Sequence, residues 1–381
     1  MDFELSEEQR AIREMARDFA QRELAPQAAR LDETGEFPWE TIKKMAGLGF
    51  LGLPIPEEYG GVGTDNVSYA LAIEELGRAC GSTARVVAAH TALTAVPIYL
   101  FGTEEQKQKY LVPLARGEML GAFGLTEPEA GSDAGATRTR AVRHGDEWVI
   151  NGSKTFITSG AVAGITIITA RTEQAEGTRG ISNIIVEKDT PGFRVGRNLE
   201  KMGLHGSVTS ELFFEDCRVP VGNLLGEPGK GFKQFLIALD GGRIGIGALS
   251  VGLAQGAFDA ALEYAKGRIQ FGKPIGELQA VQFMLADMAT QIEAARLLVL
   301  RAAQRKDAGL PFSMEAAMAK MFASEMGERV CHQAIQVLGG YGYMREYGVE
   351  RMYRDVRLME IGEGTSQIQR LVIARHLLRA A

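Results

Sequence analysis

Two short segments of this chain carry side chains of the right type and spacing for chemistry. One is Ile361-Gly362-Glu363-Gly364-Thr365-Ser366-Gln367-Ile368-Gln369-Arg370, where a carboxylate stands between two glycines just ahead of an apparent helix capped by Thr365 or Ser366. Glycines permit close backbone approach and unusual φ values. A glutamate held there serves as a general base if a ligand shields it from water and raises its pKa. The plainer alternative is that Glu363 only complements the positive end of the helix. The other segment is Phe123-Gly124-Leu125-Thr126-Glu127-Pro128-Glu129-Ala130-Gly131-Ser132-Asp133, dense in hydroxyls and glycines. Such a loop offers backbone N–H groups and Thr or Ser hydroxyls to a polar ring or a phosphate. Its alternative is an interdomain turn.

The elements that must position these segments fall into three zones. Residues 1–120 read as helical. Ser6 and Gln9 form a capping-box pattern ahead of Ile12, Met15 and Phe19, and Thr103 is the expected cap of a later helix. Val86–Thr103 is the longest segment without Asp, Glu, Lys or Arg. His90, its threonines and Pro97 make it a buried helix ending near the proline rather than a membrane span. Residues 121–228 change character. Trp148-Val149-Ile150, Asn151-Gly152 and Thr155-Phe156-Ile157 give a hairpin signal. The short apolar runs Ile165–Thr169, Ile181–Val186, Phe193–Val195 and Leu212–Phe214 follow, as in an antiparallel β domain. Residues 229–381 return to long helical patterns over Gln279–Lys306, Ser313–Val337 and Thr365–Leu378, with wide apolar faces suited to a bundle. The expected fold is therefore mainly α with a central β domain.

Bulk numbers narrow the function. The chain has 381 residues, enough for two or three domains of roughly 150 residues each. Its 45% hydrophobic and 24% charged residues fit a soluble globular protein. The net charge of −6 argues against a duplex nucleic-acid partner. Three scattered cysteines suggest no disulfide framework or zinc site and fit a reducing cytoplasm. GLGFLG (Gly47–Gly52) has helical pattern before it and Pro54 and Pro56 after it, so it fails as a dinucleotide-binding turn. GIGALS (Gly245–Ser250) sits inside a helical run and fails likewise. No phosphate loop, H-E-x-x-H or G-x-S-x-G occurs, and the five histidines lack ligand spacing. Glycine, at 46 residues, exceeds the roughly 7% of average usage, which means either many turns or backbone lying against a ligand.

The two opening segments and several others resemble the acyl-CoA dehydrogenase family over essentially the whole chain. The matching blocks are PEEYGG (Pro56–Gly61), FGLTEPEAGSD (Phe123–Asp133), NGSKTFITSG (Asn151–Gly160), KMGLHGSVTSELFFEDCRVP (Lys201–Pro220), LDGGRIGIGALSVGLAQ (Leu239–Gln255), RIQFGKPIGELQAVQ (Arg268–Gln282), QVLGGYGY (Gln336–Tyr343) and IGEGTSQIQR (Ile361–Arg370). The resemblance implies an N-terminal helical domain (1–120), a middle β domain (121–228) and a C-terminal helical bundle (229–381). It implies FAD as cofactor and oxidation of an acyl-CoA to the trans-2-enoyl-CoA in fatty-acid β-oxidation. Electrons would pass to an electron-transfer flavoprotein, in a cytoplasmic homotetramer built as a dimer of dimers.

By the same resemblance Glu363 is the base, and its backbone N–H with a flavin ribityl hydroxyl stabilises the enolate-like oxygen. Phe123, Leu125, Thr126, Gly131 and Ser132, with Phe156, Ile157 and Thr158, match contacts to the isoalloxazine. Arg268, Phe271 and Gln279, with Gln336, Val337, Leu338, Gly339 and Gly340, match residues that hold the pyrophosphate and adenine, generally of a neighbouring subunit's FAD. Thr365, Ser366 and Gln367 complete the flavin set. Ser132, Asp240, Arg243 and Gly364 match contacts to acyl-CoA. No metal is implied.

Some positions depart from or stand out against the family's pattern. Gly362 replaces a tyrosine common beside the base, implying a pocket open to short, branched or somewhat bulky acyl groups. Gly242 stands where isovaleryl- and long-chain-type relatives carry their base. His205 stands where arginine is frequent. Arg85 lies in a helix resembling the pocket wall. It reads first as a surface charge, and second as a partner for a substrate carboxylate, as in a glutaryl-type enzyme. Rival activities on this fold are a flavin-dependent acyl-CoA oxidase and a DNA-protective flavin-binding relative without turnover. Against the second stand the acidic net charge and the lack of a basic tail.

Overall fold

The computed structural model describes residues 4–172 and 177–379; the outermost ends of the first and last zones lie outside these. Helices occupy both ends of the chain and a β-sheet the middle, as the patterns predict.

The first helix, Glu7–Phe19, opens with the expected capping box: Ser6 Oγ accepts from the Gln9 N–H, and Gln9 Oε1 accepts from the Ser6 N–H. Thr103 caps its helix in the same reciprocal way with Gln106. The uncharged run forms a helix from Gly81 to Phe101 that does not stop at Pro97. A π turn over Thr91–Ala95 precedes the proline, so the missing N–H falls where the ladder has already been displaced. Gly81–Phe101 and Gly231–Gly267 are both long and apolar enough to cross a membrane, but in each 78% of the apolar window is buried inside the protein.

The sheet comprises β1 (Gly121–Gly124), β2 (Arg140–His144), β3 (Glu147–Thr158), β4 (Ile165–Arg171), β5 (Ile181–Glu187), β6 (Phe193–Asn198), β7 (Thr209–Pro220) and β8 (Leu224–Leu225). Its order is β6-β7-β3-β2-β4-β5-β8, with β1 added beside β4. Most pairs are antiparallel, but β1 and β2 each meet β4 in parallel. The hairpin expected at Asn151-Gly152 is absent. Those residues lie within β3, at a register shift against β7. Asn151 exchanges two hydrogen bonds with Asp216, and a Cβ on Gly152 would strike Thr139. The signal was that of a bulge, in which one extra residue is accommodated mid-strand. The turn itself comes earlier, at Gly145-Asp146, where His144 pairs with Glu147 and Gly145 has φ 61°.

The long helix Gly231–Gly267 runs through the main core and packs on Asn66–Ala79, Gln279–Asp307 and Ser313–Leu338. Where it crosses Asn66–Ala79, glycines lie against the facing helix. A Cβ on Gly77 would lie 2.8 Å from Leu249 Cδ1, and one on Gly252 would press on the Glu74 carbonyl. Part of the glycine excess is thus spent on helix crossing, a use distinct from turns or ligand contact. The crossing also sets Tyr69 opposite Gly245, with the phenol oxygen 3.0 Å from where a Cβ would stand.

Candidate active site

Glu363 has φ 54° and Gly364 φ 93°. A non-glycine residue held in the left-handed region costs of order 1–3 kcal/mol and persists only where its surroundings impose it. Here two side chains grip the loop carbonyls. Lys320 Nζ donates to Gly364 O at 2.7 Å, and Gln369 Nε2 donates to Gly364 O at 2.9 Å and Glu363 O at 3.3 Å. Thr365 Oγ1 accepts from the Ile368 N–H, so the cap of the Ser366–Arg379 helix is Thr365. Glu363 is therefore free of the capping role that was its plainer alternative.

The Glu363 carboxylate turns inward and is 5% exposed. Arg85 Nη1 donates to Glu363 Oε1 at 2.5 Å. Arg85 is not a surface charge: its side chain is 8% exposed. Glu363 Oε2, Arg85 Nε and Tyr69 Oη are all buried without a hydrogen-bond partner. A Cβ on Gly242 would collide with Glu363 Oε2, so positions 242 and 363 address the same point in space. Arg243, 3% exposed, donates to Asp240 and feels Glu363 as well. Burial pushes the Lys320 ammonium down to about 8, with Glu363 pulling the other way. Three cations thus surround one carboxylate that keeps an unused oxygen. Asp240 and Arg243 are a buried pair here, while Ser132 is exposed on its loop.

The Phe123–Ser132 and Phe156–Thr158 segments come together. The Thr155 N–H donates to Thr126 O at 2.9 Å, joining the loop after β1 to strand β3. Phe156 has φ 59° yet is 67% exposed, a bulky ring in a disfavoured backbone at the surface. Leu125, Thr126 and Thr158 are half-buried, Ile157 is buried and Gly131 is exposed. An exposed ring beside half-buried hydroxyls fits a planar heteroaromatic cofactor. Lys154 of β3 and Glu127 of the loop form another buried ion pair, at 2.7 Å.

The remaining candidates form a separate group. A cavity of about 550 Å³ is lined by Arg268, Ile275, Val337, Leu338, Gly339 and Gly340 among others. The Arg268 guanidinium lies 5.5 Å from the Tyr341 ring centre. Gln336 and Gln279 are exposed on flanking helices, and Phe271 is 90% exposed with φ 54°. Among the described residues no hydrogen bond or ion pair joins this group to Glu363 or the Thr126 loop.

Three family models match in sequence along the chain: acyl-CoA dehydrogenase N-terminal domain over residues 6–118, middle domain over 122–217 and C-terminal domain over 229–378. The chain belongs to the acyl-CoA dehydrogenase family. It is an oxidoreductase of that type, acting across the Cα–Cβ bond of an acyl-CoA. It is 60% identical to a "Probable acyl-CoA dehydrogenase" of Bacillus subtilis over the whole of both chains. It is 52% identical to the short-chain specific acyl-CoA dehydrogenase of Clostridium acetobutylicum, again over the whole of both. The solved butyryl-CoA dehydrogenase of Megasphaera elsdenii superimposes over the whole of both chains with TM-score 0.98 at 47% identity.

Within this acyl-CoA dehydrogenase the fold also explains His205. Its Nδ1 faces Asp32 O at 2.7 Å and Asp32 Oδ1 at 3.1 Å, and its Nε2 faces Lys201 O at 2.8 Å. Both ring nitrogens meet oxygen acceptors. His90 is structural: burial lowers it to about 4, and it bridges Leu114 O and the Gly121 N–H. No group of acidic, His or Cys side chains that could hold a metal occurs among the described residues. Sequence reading missed Tyr69 and Lys320 in the base's surroundings, since both lie on ordinary helical faces. Arg85 had a signal, a lone cation at the edge of an uncharged helix.

Proposed function

We propose that the subunit dehydrogenates a short or branched acyl-CoA, with Glu363 as the base, FAD as the oxidant and an electron-transfer flavoprotein as acceptor. Residues 1–120, 121–228 and 229–381 would act as one catalytic unit of a cytoplasmic homotetramer. The observation that carries the reading is Glu363 itself: a buried carboxylate, imposed by its loop in a left-handed conformation, with one oxygen unpaired.

A thioester entering beside Glu363 would present its α-proton to Oε2, the unpaired oxygen. With water excluded and Oε1 released by Arg85, the carboxylate would be free to take that proton. The Glu363 N–H would donate to the thioester oxygen where negative charge develops. Bound FAD would supply a two-electron acceptor for the β-hydrogen and its electron pair. Phe123, Leu125, Thr126, Gly131 and Ser132 would hold the ring from β1 and the loop after it, Phe156, Ile157 and Thr158 from the end of β3. Thr365, Ser366 and Gln367 would close the set. Arg268, Phe271, Gln279 and the run Gln336–Gly340 would hold the pyrophosphate and adenine of a neighbouring subunit's cofactor, a task suited to a guanidinium. Asp240, Arg243, Ser132 and Gly364 would serve the acyl-CoA.

Gly362 supports the short or branched class. A Cβ there would meet only Leu358, at 3.6 Å and beyond, so close packing does not force glycine at this position. The test is anaerobic flavin bleaching by butyryl-, isobutyryl-, octanoyl- and palmitoyl-CoA, followed by reoxidation with electron-transfer flavoprotein or oxygen. Bleaching by the short thioesters and fast reoxidation only by the flavoprotein are expected. Preference for palmitoyl-CoA would reject the substrate class, and fast reoxidation by oxygen would make the enzyme an oxidase.

A further inference from the structure

The turn that carries the base does not hold its own shape. Glu363 and Gly364 have φ 54° and 93°, and only the glycine occupies that region without penalty. The two side chains that hold their carbonyls are not equivalent. Gln369 belongs to Ser366–Arg379, the helix into which the turn leads, so it moves with the turn. Lys320 belongs to Ser313–Leu338, a separate helix of the bundle, and ties the turn to it.

Lys320 is an expensive residue for a merely structural place. It is 0% exposed, and its three protons have one acceptor among the described residues, Gly364 O at 2.7 Å. Lys154, buried likewise, has an acceptor for each proton. A methionine would fill the volume without the cost of desolvating a charge. The surrounding charges do not offset that cost. Burial lowers the ammonium to about 8, with Glu363 and Glu360 favouring it and Arg243 and Arg85 opposing it. A cation kept in such a place has work that its charge performs.

We propose that Lys320 is the positioning residue of the base: its ammonium, donating to Gly364 O, holds the left-handed turn that presents Glu363 Oε2 and the Glu363 N–H to one thioester. The reaction served is the dehydrogenation proposed above, on which this inference rests. Lys320 touches neither substrate nor flavin in it and exchanges no proton with either. A charge-assisted hydrogen bond is about twice as strong as a neutral one, so the grip slackens when the ammonium loses its proton. The ammonium is present below about pH 8 and lost above it. The base is therefore aimed on the acid side of that pH and loosened on the alkaline side.

The experiment measures the limiting rate of anaerobic flavin bleaching by butyryl-CoA on both sides of pH 8, in the FAD-loaded enzyme and in Lys320→Met and Lys320→Arg. Lys320→Met should fold, because Gln369 still holds Gly364 O and Glu363 keeps Arg85. Its limiting rate should drop by about 100-fold, as for a misplacement of about 1 Å, with FAD content and half-saturating substrate concentration near wild type. The wild-type rate should fall as pH rises through about 8, and Lys320→Met should lack that step. Lys320→Arg should recover part of the rate and show no step, because a guanidinium does not titrate there. If Lys320→Arg does not fold, the step in wild type and its absence in Lys320→Met decide. A wild-type rate that stays level, a step that survives in Lys320→Met, or an undiminished Lys320→Met rate overturns this proposal and leaves the dehydrogenation standing. So does a rate loss that comes only with lost flavin and a lower melting temperature. No bleaching of wild type, or bleaching that survives Glu363→Gln, overturns the dehydrogenation reading and this one with it.

Discussion

Two of the buried ion pairs, Lys154–Glu127 and Arg85–Glu363, are built on opposite plans. In the Lys154–Glu127 pair every charged atom has a partner. Lys154 Nζ donates to Glu127 Oε1, Leu125 O and Thr169 Oγ1, which accounts for all three of its protons. Glu127 accepts in addition from the backbone N–H groups of Arg138 and Thr139, at 2.6 and 3.0 Å. In the Arg85–Glu363 pair one carboxylate oxygen and one guanidinium nitrogen are buried and empty-handed. A saturated pair fixes a loop; an unsaturated one waits for a ligand. Buried polar groups normally find partners, so orphans clustered on one ion pair are a mark of function.

The widest separation between the two should come from Glu363→Gln. The amide keeps the shape but cannot take a proton, so flavin bleaching by acyl-CoA should fall by about 10³–10⁴-fold while FAD content and melting temperature stay near wild type. Substrate-driven bleaching that persists would mean that another group is the base.

Lys154→Met attacks the other pair and should show the reverse profile. It strands Glu127 without its cation in the interior, which costs about 3–5 kcal/mol. Because Glu127 holds Arg138 and Thr139 and lies behind the Thr126 loop, FAD should be lost along with stability. The check is melting temperature and flavin content of the purified protein. A stable, flavin-replete Lys154→Met variant would mean that the pair does not secure the loop.

A smaller effect, confined to the unsaturated pair, is expected of Gly242→Ala. The added methyl would collide with Glu363 Oε2 and displace the base without removing it. Misplacement on the order of 1 Å can cost about 100-fold in rate. Stopped-flow bleaching should slow by that order with no loss of flavin. An unchanged rate would show that Glu363 works from another rotamer.

The difference between these pairs was only partly legible in the sequence. Capping boxes, short strands and long apolar helices were readable because each is a local pattern, with Ser6 and Gln9, or Thr103 and Gln106, only three residues apart. Glu363 was readable from its flanking glycines and its motif. The pairing of Arg85 with Glu363 was not, because it spans 278 positions of sequence. Reading Arg85 as a surface charge followed a sound average that a functional site breaks. The bulge at Asn151-Gly152 failed for a related reason: the same dipeptide suits a tight turn or a mid-strand irregularity, and only the partner strand decides. Gly77 and Gly252 serve helix crossing, which no single helix reveals.

The smallest effect is a pH slope, and it separates the pairs by chemistry alone. Burial lowers the Lys154 ammonium from 10.5 to about 8, with Glu127 opposing. Its folded pKa is thus below its unfolded one. Between about pH 8 and 10.5 the unfolded chain binds the proton that the folded chain has lost, so this group makes stability rise with pH across that window. The contribution approaches about 1.4 kcal/mol per pH unit. The total slope is mixed, since Lys306 and Lys320, also near 8, act in the same sense. Buried Cys217, raised to about 11, and Cys331, raised further, oppose them above the ordinary thiol range. A difference measurement isolates the lysine. Denaturant unfolding from pH 8 to 10.5 should show Lys154→Met losing part of the upward trend, whereas Arg85→Met should keep it, because a guanidinium does not titrate there. An identical slope in wild type and Lys154→Met would mean that Lys154 keeps its proton in the fold, and that the two pairs are electrostatically alike after all.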